Sequence, residues 1–183
     1  MGLTLIRHTR PMGAEGLCYG RTDLDVAETF HAEARAVLAA APLTDIIITS
    51  PLQRCRKLAQ HIAVARGQDL QVDDRIQEMN FGNWEARLWA DIPAAELDAW
   101  AADFLHARPH GGESVSMLRA RTNEALTHYR TSGKTHLIVT HAGIIKTALS
   151  DGDRSENFSG NVDFGGMATL PLQKAIGTRD ERK

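Results

Sequence analysis

Three short runs rich in apolar and β-branched residues, each followed at once by polar or charged residues, constrain the fold of this chain most. They cover residues 3–6, 44–49 and 136–140, and each has the length of a buried strand. Runs without regular polar alternation are typical of parallel strands covered on both faces. Reactive groups of such sheets collect where the strands end. We therefore predict an α/β fold, a three-layer α/β/α sandwich with a mostly parallel central sheet.

The residues that follow these runs have the chemistry of a phosphate site. Arg7 and His8 end the first run, Arg54 follows the second and His141 follows the third. If the three strands lie side by side and parallel, these side chains converge on one crevice. A neutral imidazole can attack phosphorus, guanidinium groups bind its non-bridging oxygens, and a second imidazole adds a donor. Each motif alone also fits an ion pair or a helix start, but the combination favours phosphoryl transfer through a histidine nitrogen.

Segments with helical spacing of apolar residues separate the predicted strands, as crossover connections require. One of them should have Ser50 as its N-cap and Pro51 as its first residue. The predicted helices are 26–41, 50–66, 93–106, 114–130 and 144–150. The remaining predictions are a loop over the crevice at 10–25, connections at 67–75 and 76–85, a last strand at 164–172 and a solvated tail at 178–183.

Composition limits the environment and partners that we expect. The 183 residues fit one domain, 1–183, whose core needs no disulfide or metal for stability. A net charge of −2 supplies no basic field for nucleic acid or an anionic membrane. Two cysteines without metal or redox spacing, and the lack of a span of about 18 apolar residues, make the cytoplasm the expected location.

Two rival kinds of site fail on spacing. A cysteine phosphatase loop needs an arginine six residues after its cysteine, and neither Cys18 nor Cys55 has one. His106 and His110 have metal-ligand spacing on a helix, but Pro109 between them should end that helix. We therefore predict that no metal and no other cofactor takes part.

Together the motifs resemble those of the histidine phosphatase superfamily, which has the phosphoglycerate-mutase-like fold. The resemblance covers about residues 3–145, in the family's order. The matching segments are Arg7-His8-Thr9, Ser50-Pro51-Leu52-Gln53-Arg54, Glu78 ahead of Phe81-Gly82-Asn83-Trp84-Glu85, Gly112-Glu113-Ser114 and Thr140-His141-Ala142-Gly143. The loop at 16–23 is similar to that of small members known as alpha-ribazole phosphatases. The resemblance implies a metal-independent phosphatase that hydrolyses a small phosphomonoester, such as alpha-ribazole 5′-phosphate, through a phosphohistidine.

By this resemblance, five side chains carry the chemistry. His8 would be the phosphorylated nucleophile, and Glu78 would be the proton donor. The phosphate pocket would be formed by Arg7, Arg54 and His141.

Further residues are implied as substrate contacts. The backbone of Thr9 and Ala142 would line the phosphate pocket. Tyr19, Gly20 and Arg21 would contact the rest of the substrate, although Tyr19 and Arg21 equally fit loop packing. The same two interpretations apply to Trp84.

Two positions depart from the family pattern. Thr9 stands where the family usually has glycine, and Ala14 stands where it commonly has asparagine. The second change removes one expected phosphate contact.

The expected partner is a small phosphorylated metabolite, and free phosphate or sulfate could occupy the same pocket. The sequence leaves a homodimer open. Two alternatives also stay open: phosphoryl transfer of the phosphoglycerate mutase type, and a non-catalytic domain that binds a phosphorylated ligand. The presence of Glu78 argues against the latter, because binding alone needs no proton donor. If Glu78 is not the acid, Glu113 is the first alternative.

Overall fold

The computed structural model describes residues 2–160 and 162–171. Its strands are β1 Gly2–Arg7, β2 Ile46–Thr49, β3 Leu70–Val72, β4 His136–Thr140 and β5 Met167–Pro171. In this part of the chain they form one sheet in the order β3-β2-β4-β1-β5. The neighbouring pairs among β1 to β4 are parallel, and β5 joins the edge beside β1 in the antiparallel direction.

Helices cover both faces of the sheet. They are α1 Phe30–Ala40, α2 Gln53–Arg66, α3 Ala94–Ala102, α4 Val115–Thr131 and α5 Ala142–Leu149. Helices α1 and α2 share one hydrophobic cluster with the sheet, and α4 and α5 share another. Within β4, Leu137 and Val139 contribute to the first cluster and Ile138 to the second. Since alternate residues of this strand pack on opposite faces, the predicted three-layer sandwich is confirmed.

The start of α2 differs from the prediction. The helix begins at Gln53 with Leu52 in extended conformation as its N-cap, not at Ser50 and Pro51. Ser50 is fully buried, and its hydroxyl lies 2.8 Å from Nε2 of His141. Its side chain therefore bonds to the second histidine instead of capping the helix.

Other helices and strands also differ in their boundaries from the predicted ones. The helix predicted over 26–41 begins at Phe30, and the one predicted over 93–106 ends at Ala102. Strand β3 lies inside the segment 67–75, which was predicted to be a plain connection. It was missed because it has three residues, two of them exposed, and lies at the edge of the described sheet beside β2.

The last predicted strand corresponds to β5, although the end of 164–172 and the whole tail at 178–183 lie outside the described residues. The assignment of 1–183 to one domain stays a prediction. Among the described helices, none combines the length and the apolar character that crossing a membrane would require.

Parallel pairing brings the ends of β1, β2 and β4 to one edge of the sheet. Arg7 pairs with Thr140 and Thr49 pairs with Val139. The N–H of His8 donates to the carbonyl of Thr140 at 2.9 Å, so the ladder continues to the first residue after β1. The polar residues after the three predicted strands are therefore neighbours.

Candidate active site

A cavity of about 470 Å³ opens at this edge, and Arg7, His8, Tyr19, Glu78 and Ala142 lie in its wall. His8 is 2% exposed. Its Nδ1 lies 2.7 Å from the carbonyl oxygen of Thr9 and must donate to it, since a carbonyl only accepts. In the neutral ring this leaves the lone pair on Nε2.

The charge state of His8 suits a nucleophile. Burial lowers its pKa from 6.5 to about 3, with a further contribution from the positive charge of Arg54. An imidazole with such a pKa is neutral near pH 7, and only the neutral ring has a lone pair for attack.

His141 follows β4 and contacts His8, with ring centroids 5.2 Å apart. Nη2 of Arg54 lies 3.3 Å from Nδ1 of His141, so Nδ1 accepts and Nε2 donates to Ser50 Oγ at 2.8 Å. Burial and the charge of Arg54 keep the pKa of His141 well below 6.5. This imidazole is therefore also neutral, in the opposite tautomer to His8.

Arg54 is held by carbonyl groups of the loop after β1. Its guanidinium is fully buried and donates to the carbonyl of Thr22 at 2.8 Å and to that of Gly20 at 2.6 Å. Arg54 and His141 are fully buried and are not part of the cavity wall among the described residues. Gly20 and Arg21 are not part of the wall either, so their contact with substrate stays a prediction. Gly20 supports Arg54, and a Cβ there would lie 1.8 Å from the carbonyl of Met79.

Glu85 fixes this same loop, a role that sequence reasoning missed. Its carboxylate accepts backbone N–H groups of Gly20, Arg21 and Thr22 at 2.9–3.0 Å, and that of Phe81 at 2.9 Å. The hydroxyl of Thr22 donates to it as well. Burial raises the pKa of Glu85, but the hydrogen bonds from Thr22 and from backbone N–H groups outweigh burial and lower it overall. In the sequence, Glu85 was marked only as the last residue of the matching segment 81–85. Its contact with the loop had no local signal, because the loop and Glu85 lie far apart in the chain.

Arg7 lies beside the phenyl ring of Phe164, with Cζ 3.9 Å from the ring centroid, and its Nη1 donates to the carbonyl of Val162 at 2.8 Å. Phe164 also contacts the ring of His8 at 5.6 Å.

Tyr19 also lies in the cavity wall, and its ring centroid is 5.3 Å from Cζ of Arg54. Burial raises the pKa of Tyr19, so its phenol stays protonated.

Glu78 is 9% exposed and is held at the start of α5. Its Oε2 accepts from the N–H of Gly143 at 3.0 Å, and its Oε1 accepts from its neighbour Met79 at 2.9 Å. The first N–H groups of a helix have no partner within the helix, so the N–H of Gly143 is free to set the direction of the Glu78 side chain. A Cβ on Gly143 would lie 2.1 Å from Glu78 Oε1, so glycine is needed for this approach.

Arg121 of α4 fixes the segment that carries Glu78. Its guanidinium donates to the carbonyls of Arg75, Gln77 and Glu78 at 2.6–2.9 Å. It also pairs with both carboxylate oxygens of Glu113, at 2.7 and 2.8 Å. Glu113, the alternative acid, is therefore committed to this ion pair and lies outside the cavity wall. Nothing in the sequence distinguished Arg121 from other arginines of that helix.

Of the other predicted contacts, Ala142 lies in the wall, whereas Thr9 is fully buried and is not part of it. Trp84 is also fully buried, and its indole N–H donates to Glu96 at 2.6 Å. It is a packing residue. Burial raises the pKa of the Cys55 thiol, which disfavours a thiolate nucleophile.

The described residues thus form a three-layer α/β protein in which neutral histidines, arginines and a glutamate gather where parallel strands end. The sequence profile of the histidine phosphatase superfamily, branch 1, matches residues 3–156. The chain belongs to this superfamily.

Individual relatives lie on both sides of the division between phosphatases and mutases. The adenosylcobalamin/alpha-ribazole phosphatase of Escherichia coli K12 is 27% identical over 162 residues, which are 82% of this chain and 78% of that protein. A mycobacterial glucosyl-3-phosphoglycerate phosphatase in complex with VO3 has a TM-score of 0.78 and 26% identity, covering 92% of each chain. A phosphoglycerate mutase from Thermus thermophilus has a TM-score of 0.74 and 26% identity, covering 93% of this chain and 92% of that one.

Proposed function

We propose that the protein is a phosphatase that hydrolyses a small phosphomonoester through a phosphohistidine on His8. The observation that carries this proposal is the placement of a neutral His8 in the cavity wall, with Nδ1–H fixed by the Thr9 carbonyl and the lone pair on Nε2. The VO3 in the mycobacterial homologue, an anion of phosphate-like chemistry, supports the same kind of ligand.

In the proposed reaction Nε2 of His8 attacks phosphorus and the bond from phosphorus to the alcohol oxygen breaks. Glu78 gives its proton to the departing alkoxide. Water then attacks the phosphohistidine, Glu78 takes a proton from it, and inorganic phosphate leaves. Arg7 would bind the non-bridging oxygens from the wall, while Arg54 and His141 would stabilise the same charge from their buried positions near His8.

A rapid-quench experiment with radiolabelled phosphomonoester tests this route. We expect acid-labile, base-stable phosphate on the wild-type protein and none on His8→Asn. Steady turnover without any label on His8, or full labelling of His8→Asn, would show that the covalent route is wrong.

The specific substrate is a finer proposal. The Escherichia coli relative supports alpha-ribazole 5′-phosphate, and a phosphate-release assay with that ester tests it. The mutase neighbour supports a second candidate, phosphoryl transfer on phosphoglycerate. The two separate by product: a mutase interconverts 2- and 3-phosphoglycerate, whereas a phosphatase releases inorganic phosphate. A domain that only binds its ligand would do neither.

A further inference from the structure

A tight turn immediately before β5 has an aromatic side chain at its tip. The N–H of Gly166 donates to the carbonyl of Asp163 at 2.8 Å and closes a turn of four residues. Its third residue, Gly165, has a φ of 73°, the left-handed conformation that a type II turn requires at this position. Phe164 is therefore the second residue of the turn.

The sheet fixes this turn beside the nucleophile. Strand β5 pairs with β1 in the antiparallel direction as far as Ile6 and Met167. The N–H of Arg7 then donates to the carbonyl of Gly166 at 3.0 Å, and the N–H of Gly165 lies 3.1 Å from the carbonyls of both Arg7 and His8. Because these bonds are made by the backbone, the position of residue 164 follows from the pairing of the two strands.

The ring of Phe164 contacts the guanidinium of Arg7 through its face. Cζ of Arg7 lies over the ring, 3.9 Å from the centroid, which is a van der Waals distance. The face of a phenyl ring attracts a cation, and a planar guanidinium stacks on it well. The carbonyl of Val162, two residues earlier, accepts from Nη1 at 2.8 Å. One short segment thus holds this guanidinium both by its face and by its edge.

The position of Phe164 relative to the cavity decides how it can act. Among the described residues, the wall of the cavity includes Arg7 but not Phe164. The ring can therefore affect a bound anion only through the residues that it contacts. An arginine side chain that is free to rotate loses conformational entropy when an anion binds it, and a side chain that is already held loses less.

We propose that Phe164 is a positioning residue of the phosphate site: the face of its ring holds the Arg7 guanidinium in the orientation that binds the non-bridging oxygens. This inference rests on the proposed function, which gives Arg7 its role as a phosphate ligand. The ring itself takes part in no bond that forms or breaks.

Binding of orthovanadate measures the contribution of the ring. Calorimetric titration compares the wild type with Phe164→Leu, which stays apolar but lacks the ring face, and with Phe164→Tyr, which retains it. We expect the dissociation constant to rise about 2–30-fold in Phe164→Leu and to stay within about twofold in Phe164→Tyr. Phe30→Leu, at the start of α1 and outside the cavity wall, is the matched control and should leave the constant unchanged. Equal constants for the wild type and Phe164→Leu, or equal losses in Phe164→Leu and Phe164→Tyr, would overturn the proposal.

A double-mutant cycle distinguishes an effect through Arg7 from a general effect on the fold. In the Arg7→Gln background the guanidinium that the ring holds is gone, so adding Phe164→Leu should change the dissociation constant by less than about twofold. If Phe164→Leu causes the same loss in both backgrounds, the ring acts on His8 or on the fold, and the proposal is wrong.

A measurement without any ligand separates this inference from the proposed function. Nitrogen NMR of the arginine side chains gives the rate at which the Arg7 guanidinium rotates about its Nε–Cζ bond. We expect rotation to be at least about twofold faster in Phe164→Leu than in the wild type, because attraction to the ring face restrains it. Equal rates would contradict the proposal even in an active phosphatase. Slower rotation in a wild-type protein that releases phosphate from no ester would support the positioning of Arg7 and refute only the phosphatase.

Discussion

The environment of His8 keeps its imidazole neutral near pH 7, and it also links the stability of the protein to pH. Its pKa falls from 6.5 to about 3 on folding, chiefly through burial. As pH drops below 6.5, His8 of the unfolded chain binds a proton, whereas His8 of the folded protein stays unprotonated. The free energy of unfolding therefore decreases as pH falls from 6.5 towards 3.

Replacing His8 with asparagine should abolish turnover and also reduce this pH dependence. The slope of unfolding free energy against pH should become shallower by up to about 1.4 kcal/mol per pH unit, the limit for one proton. Urea denaturation at several pH values below 6.5 measures it. His31→Asn, exposed on α1, is the matched control. An unchanged slope in His8→Asn would contradict the neutral, buried state of His8.

Glu78→Gln should show whether this residue is the proton donor. General acid catalysis contributes about 10²–10⁴-fold and matters most for basic leaving groups. We expect losses of that size in the burst phase with an alkyl phosphate and a much smaller loss with p-nitrophenyl phosphate, whose leaving group departs without help. Equal losses with both esters would mean that Glu78 positions the substrate or the loop. Glu113 would not then be the proton donor, because its carboxylate is paired with Arg121.

The loop after β1 and the segment that follows β3 act as one unit through Glu85. The Glu85 carboxylate orders Gly20 to Thr22, and the carbonyls of this loop in turn hold Arg54. The chain of contacts then reaches His141 through Arg54. A side chain outside the cavity wall thus sets the position of two groups in the proposed phosphate site.

Glu85→Gln should weaken this unit without deleting a group of the proposed chemistry. An amide oxygen accepts these N–H groups less strongly than a carboxylate, so we expect a loss of roughly 1–3 kcal/mol in stability and a lower kcat/KM. Denaturation and steady-state kinetics measure the two effects. Glu15→Gln, an exposed glutamate of the same loop, is the control.

The pH profile gives a second check on Glu85. Because folding lowers its pKa from 4.5, its contribution to stability is complete above pH 4.5 and is lost as pH falls through the folded pKa. The Glu85→Gln variant should therefore lose less stability than the wild type below pH 4.5. If both proteins lose the same amount, Glu85 is not the anchor of the loop.

For the molecule as a whole, the sheet gathers positive charge at one edge, beside His8. The positive charges of Arg7 and Arg54 both lower the pKa of His8. We expect turnover of p-nitrophenyl phosphate to be unchanged by exhaustive chelation, because these guanidinium groups supply the charge that a metal would bring. Activity that chelation removes and zinc or magnesium restores would contradict this expectation.

The sequence by itself determined the three main parallel strands, the helices that join them and the residues that end each strand. This was possible because apolar periodicity is local and because parallel strands place their carboxyl ends at one edge. The resemblance then assigned roles to His8 and Glu78.

Only the tertiary structure decided how these residues are supported. Strand β3 is too short and too exposed to have a pattern of its own, and it forms only by pairing with β2. The bonds that Glu85 and Arg121 make join residues that are distant in the chain, and the aromatic side chains of the cavity wall come from segments without any common period. Contacts of this kind depend on how whole elements pack, and no local pattern records that packing.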